Sequence, residues 1–163
     1  MTSILKVSTI QNTAGGAPTA ADLGLNVTGS VLQVVQGEQS GTQTNTSTSY
    51  VDITGLSASI TPTSTSSKIL VQWSVNGYVP SNNGIVVVPA RGSTRFYYNS
   101  GNAYEFWAGS SQLHFRTTNQ YLDSPATTSS ITYQMQMMTT GGASTQVGSY
   151  SYPMTITLME IAG

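Results

Sequence analysis

His114 is the only histidine of this 163-residue chain, and no cysteine accompanies it. It lies in Leu113-His114-Phe115-Arg116, on the strand face opposite Leu113 and Phe115. A general base needs a nucleophile and an orienting partner, and no motif supplies either. One histidine without a thiolate also makes a poor transition-metal site. His114 is therefore expected on a sheet face or at an interface. The six acids, Asp22, Glu38, Asp52, Glu105, Asp123 and Glu160, are scattered singly. Two of them meeting in space, or across subunits, could form the carboxylate pair of a glycosidase. No run of acids resembles a calcium loop. Gly15-Gly16 and Gly141-Gly142 open no helix, so neither cradles a phosphate. No cofactor, metal site or catalytic residue is expected, and the chain is not read as an enzyme.

Aromatic residues are the richer stock. Tyr97, Tyr98, Tyr104, Phe106 and Trp107 crowd one stretch, and Tyr121, Tyr150 and Tyr152 add to it. Rings with polar tips fill subunit interfaces and stack on sugars. The first five are expected at a subunit interface or a glycan site. Met135, Met137 and Met138 are expected to fill core or seam. Asn26-Val27-Thr28 and Asn45-Thr46-Ser47 have the form of glycosylation acceptors. The N-terminus has no basic region followed by an apolar run, so no secretory signal is expected and both matches read as chance.

The elements that must position these residues are strands. Only 7% of residues are charged, against about 25% in ordinary soluble proteins. A surface of Thr, Ser, Asn, Gln and Gly suits pleated structure and contact with other subunits. Net charge is -1, with no basic stripe, so no nucleic-acid partner is expected. No apolar stretch approaches the roughly 18 residues of a membrane span, so no membrane insertion is expected.

Residues 1–28 read as an extended arm and linker. In the arm, Ile4, Lys6, Ser8 and Ile10 alternate with Leu5, Val7 and Thr9. Thr19-Ala20-Ala21-Asp22 has the form of a capping box, for at most one helical turn. From residue 29 to 163 the period is two almost throughout. Strands are expected at residues 31–36, 42–53, 56–61, 68–78, 85–88, 94–98, 103–108, 112–117, 131–137, 143–148 and 154–161. Residues 37–41 and 121–125 read as turn and loop. In the cleanest strand, Ile69, Val71, Trp73 and Val75 face one way, and Gln72, Ser74 and Asn76 the other. Residues 85–88 are continuously apolar, hence buried on both faces. Turn signals about every 8–12 residues predict an all-β fold, an antiparallel jelly-roll-like sandwich following the arm. Scarce edge charge favours an oligomer that covers strand edges.

One family resemblance adds to this. The arm, Ile4-Leu5-Lys6-Val7-Ser8-Thr9-Ile10-Gln11-Asn12, followed by Gly15-Gly16-Ala17-Pro18-Thr19, resembles the start of many tailed-phage virion proteins, especially from marine phages and cyanophages. Three later stretches look like the same family. They are Ile60-Thr61-Pro62-Thr63-Ser64-Thr65-Ser66-Ser67-Lys68-Ile69-Leu70-Val71, Tyr121-Leu122-Asp123-Ser124-Pro125 and Ile156-Thr157-Leu158-Met159-Glu160-Ile161. The resemblance implies a bacteriophage homotrimer in the virion, as a capsid decoration, head-fibre or tail-fibre protein, with no enzyme activity. Absence of a long shaft repeat favours the decoration or head-fibre form over the tail fibre. The arm would dock on the major capsid protein or another virion protein by strand addition, with Ile4, Leu5, Val7 and Ile10 in pockets. The alternative is the receptor-binding tip of a short tail fibre, with a host surface glycan as partner.

Overall fold

Residues in which every second side chain is apolar must hide one face, and two such sheets hide each other. In a computed structural model of the chain, residues 10–11, 14–18, 22–23, 28–96 and 106–163 are described. Eleven strands appear among them: β1 Val31–Gln39, β2 Gln43–Asn45, β3 Val51–Ile60, β4 Lys68–Val79, β5 Asn83–Arg91, β6 Thr94–Arg95, β7 Phe106–Ala108, β8 Leu113–Asp123, β9 Ile131–Thr139, β10 Thr145–Val147 and β11 Met154–Ile161. Their only helical turn is a 3-10 turn at Ser149–Ser151.

All pairings are antiparallel, in two sheets. In the front sheet β1 pairs with β11, β11 with β4, and β4 with β8. The short strands β2 and β10 pair with each other and prolong β1 and β11 beyond a bend, so the sheet is four strands wide. The back sheet runs β3–β9–β5, with β6 and β7 sharing the outer edge of β5. Successive long strands alternate between the sheets, which is the connectivity of a jelly roll. The expected sandwich is therefore present. Of the expected 1–28 arm only Ile10, Gln11, residues 14–18, Asp22 and Leu23, and Thr28 are described. Ile4, Leu5, Val7 and most of the capping-box sequence lie outside the described residues.

The core lies between the sheets. Ile69, Val71, Trp73 and Val75 of β4 face Tyr133, Met135 and Met137 of β9 and Ile85 and Val87 of β5, all at 1% exposure or less. Met154, Ile156 and Leu158 of β11 complete it. The apolar run of β5 is buried on both faces as expected, Val86 and Val88 included. Met138 is only half-buried.

Several boundaries differ from expectation, each for a physical reason. Residues 37–39 continue β1 and do not turn. Gly37 sits there because the Ser57 carbonyl of β3 occupies the space a Cβ would need. The long polar strand expected at residues 42–53 is broken. Asn45 turns back on Ser47, accepting its N–H at 2.8 Å, and β3 begins at Val51. The same turn buries Asn45 to 7% exposure, which removes it as a glycosylation acceptor. Gly55 lies inside β3 in a wide bulge opposite β9, where the Gln134 side-chain amide donates to the Ile53 and Leu56 carbonyls. Residues 121–123 are not loop. They extend β8, which pairs with β4 along its whole length.

Polar groups close the sandwich at both ends. At one end, Asp123 of the front sheet accepts hydrogen bonds from the Arg91 Nε at 2.7 Å and the Tyr133 hydroxyl at 2.7 Å, both in the back sheet. The Ser124 N–H adds a third at 2.8 Å. The hydrogen bond to Asp123 holds Arg91 above its ordinary value. Burial, reinforced by Asp123, pushes the Tyr133 hydroxyl far up, so it remains a donor. Glu160, fully buried beside this clasp, accepts from the Gln33 amide and from the Thr63 N–H and hydroxyl. At the other end Asn83 is fully buried. It donates to the Thr139 hydroxyl and Ala143 carbonyl and accepts from the Gly84 and Gly141 N–H groups.

Asp123→Ala leaves a guanidinium and a phenol without their acceptor. A loss of about 2–4 kcal/mol is expected in urea unfolding, since breaking one side of a buried pair costs more than the pair contributes. Glu160 supplies a pH test. Burial alone would push its carboxyl up, but hydrogen bonds from Gln33 and Thr63 outweigh this and hold it below its ordinary 4.5. A depressed carboxylate contributes stability that is present above its unfolded pKa and lost as pH falls through the folded one. The urea midpoint is expected to fall on acidification from about pH 6 to about pH 3. Glu160→Gln should flatten that part of the dependence and lower stability at neutral pH. An unchanged slope in the variant would remove Glu160 from the account.

Candidate functional site: a polar aromatic hollow on the front sheet

The outer face of the front sheet is built in rows fixed by strand register. At the clasp end Val34, Met159, Leu70 and Leu122 lie side by side across β1, β11, β4 and β8. Val34 is 57% and Leu122 48% exposed. The next rows are polar: Gln36, Thr157, Gln72 and Gln120, then Glu38, Thr155, Ser74 and Thr118. At the opposite end Gln146, Tyr78 and His114 form a row across β10, β4 and β8, with Asn76 and Arg116 paired beside it.

Over this last row the chain folds back. After β10, Gly148 adopts a left-handed conformation at φ 73° and its N–H donates to the Asn76 carbonyl at 2.9 Å. The Thr42 hydroxyl donates to the Gly148 carbonyl at 2.9 Å. The 3-10 turn that follows carries Tyr150 above His114. The His114 ring lies between Tyr78 and Tyr150, each centroid 5.1 Å away and tilted by 47° and 48°. The Tyr150 hydroxyl is 3.3 Å from His114 Nε2. Gly77 is required beneath, because a Cβ there would collide with the Gln146 carbonyl and the Phe115 ring.

The result is an open hollow of about 440 Å³, lined by Thr42, Tyr78, Gln112, His114, Gln146, Ser149 and Tyr150. A second depression of about 230 Å³ adjoins it through His114, Ser149 and Tyr150, and adds Asn76, Arg116 and Tyr152. Two lining atoms are anomalous. Asn76 is 6% exposed; its amide nitrogen donates to the Tyr152 carbonyl at 3.1 Å, yet its Oδ1 is buried without a hydrogen-bond partner. Ser149 is 8% exposed, and its Oγ is likewise without one. Tyr150 is 71% exposed and holds φ 64°, a left-handed backbone that costs a non-glycine residue roughly 1–3 kcal/mol. Among the described residues no carboxylate lines either depression.

His114 thus lies on an outer sheet face, as its alternation implied. The acid pair does not form a catalytic site among the described residues. Asp123 and Glu160 both pair in register with Ile69, on either side of β4, so their strands lie about 9–10 Å apart. Each carboxylate is occupied by structural donors. No group of three His, Cys, Asp or Glu side chains is placed to hold a metal among the described residues. No helix of the described residues is long and apolar enough to cross a membrane.

Of the five aromatic residues singled out in the sequence, two are among the described residues. Tyr97, Tyr98 and Tyr104 lie outside the described residues. Phe106 turns inward and stacks on Phe115, with centroids 4.4 Å apart, so its ring is core. Trp107 is 49% exposed on the β7 edge of the back sheet, and neither residue lines the hollow. Ile10 is 57% exposed. Sequence alternation gave no reason to join Tyr78, Gln112 and Gln146 to Tyr150. The signal that was available is the excess of tyrosine around the β10–β11 bend.

Replacing the strained side chain tests the geometry. Tyr150→Gly relieves the left-handed penalty and adds glycine's own entropic cost of about 0.5–1 kcal/mol. The variant is expected to melt at the wild-type temperature or slightly above it, although a large side chain has been removed. A clear loss of melting temperature would mean that the ring is a structural prop. Comparison with protein-family models and with curated proteins found no match for this chain.

Proposed function

We propose that this chain is a structural protein of a tailed-phage particle, a homotrimeric capsid decoration or head-fibre protein held by its N-terminal segment. Two things support the reading. The first is the resemblance of the arm and three later stretches to tailed-phage virion proteins. The second, which carries most weight, is the apolar row Val34–Met159–Leu70–Leu122 on the solvent side of the front sheet. A soluble sheet face is ordinarily polar, and an apolar row beside an edge strand is a place for a partner. Among the described residues β1 has no strand on its outer side.

The occupant assigned to this row is a second copy of the chain. Charge is nearly absent from the face, Glu38, Lys68 and Arg116 being its charged positions on β1, β4 and β8, so packing copies together desolvates little charge. The row is eight residues along β4 from Tyr78, about 26 Å at strand rise, so such contact leaves the hollow open. Three tethered arms on one trimer would dock with avidity that a single arm lacks.

Three experiments test this. Light scattering of the purified protein is expected to give a trimer, and Leu122→Glu to shift it toward monomer without unfolding it. Quantitative mass spectrometry of particles purified from the source phage should find the chain at an abundance comparable to the capsid protein. Deleting residues 1–12 should leave a folded oligomer that no longer attaches. A truncated oligomer that still decorates particles would refute arm docking, and absence from particles would refute the assignment.

A further inference from the structure

We infer that the hollow between β4, β8 and the β10–β11 bend is a carbohydrate site that takes a sugar bearing a carboxylate. The inference concerns the isolated chain and stands whether or not the particle assignment holds.

The lining matches a polyhydroxylated ligand group by group. Sugar hydroxyls donate and accept at once. Gln112 and Gln146 can do the same, since each carries a carbonyl and an NH₂, and Thr42 and Tyr78 add hydroxyls. Tyr150 and Tyr152, at 71% and 57% exposure, offer ring faces to the apolar side of a pyranose. Asn76 Oδ1 and Ser149 Oγ are the strongest indication. Buried polar atoms are nearly always paired, and these two, on residues more than nine-tenths buried that line the adjoining depression, lack a partner within the chain, as Gln39 Oε1 and Thr140 Oγ1 also do elsewhere.

Tyr150 supplies a third, independent sign. A left-handed tyrosine at the surface is unfavourable, and glycine would fit that backbone better. His114 holds the ring in place from below. Strain kept at an exposed aromatic residue beside unsatisfied polar atoms points to a role outside the fold.

The charge of the ligand follows from Arg116. It is exposed on the rim of the adjoining depression, with one long contact from its Nε to the Ser74 hydroxyl at 3.4 Å. Its planar fork suits a carboxylate. Among the described residues the lining holds no acid that would repel an anion.

The test uses the full chain. Oligogalacturonate and cello-oligosaccharide serve as acidic and neutral probes in saturation-transfer NMR and calorimetry, with a glycan array alongside. Oligogalacturonate, or another uronate- or sialate-bearing glycan of the array, is expected to bind. Tyr150→Gly and Arg116→Ala should each weaken that binding about tenfold or more while the melting curve is kept. Trp107→Ala, on the other sheet, should leave it unchanged. No binding by any acidic glycan would overturn the inference. So would binding that survives both hollow variants, or neutral glycans binding as tightly as acidic ones with Arg116→Ala silent. None of these outcomes bears on whether the chain is found in phage particles.

Discussion

Every long strand of this protein has to bury one side chain in two, and the rest of the architecture follows from that constraint. Trp73 on β4 can be fully enclosed only if β9, β5 and β11 contribute apolar residues to the same core, which Met135, Ile85 and Ile156 do. With a core that large, the outward positions of the front sheet are released from any folding duty. They are then available to carry Thr, Ser and Gln in rows, an apolar row at one end and a ring-lined hollow at the other. A face with few charges costs little stability here because the inner face already supplies the driving force.

The ends of the sandwich are where alternation fails and polar chemistry replaces it. The inward residues of β5 read Asn83, Ile85, Val87, Pro89 and Arg91: apolar in the middle and hydrogen-bonding at both limits. β11 does the same with Glu160 after Leu158, and β8 with Asp123. Each of these polar groups reaches across to another element, so each fixes how the sheets are stacked as well as where the core stops. Asp123 is tied to two strands of the opposite sheet, and this opposes sliding of one sheet over the other. Asn83 performs the equivalent task at the other end, pinning the β9–β10 connection through Gly141 and Ala143.

This division explains what was legible in the sequence. β4, β9 and β11 announced themselves because their inward positions are mostly apolar and their outward ones mostly polar, and β5 because its middle is continuously apolar. The second half of β8 was hidden. Its inward residues are Thr117, Asn119, Tyr121 and Asp123, so no apolar period marks it, and only pairing with β4 makes it a strand. Gly37 was read as a turn because a glycine's local signal is the same whether it bends the chain or admits a neighbouring backbone. Gly77 presents the second case beneath the hollow. Glu160 and Asp123 looked like isolated surface acids, because the donors that bury them come from residues 97 and 32 positions away.

The hollow was illegible for a different reason. It depends on three distant segments and on one backbone angle, none of which leaves a periodic trace. Residues 78, 114 and 146 become neighbours only through register, and Tyr150 joins them only because Gly148 and Tyr150 both take left-handed conformations within three residues. A chain selected for stability alone would place glycine at position 150 and satisfy Asn76 and Ser149 internally. Three local departures from the most stable arrangement converge on one depression. The fold tolerates them because the core beneath, from Trp73 to Phe115, is already complete.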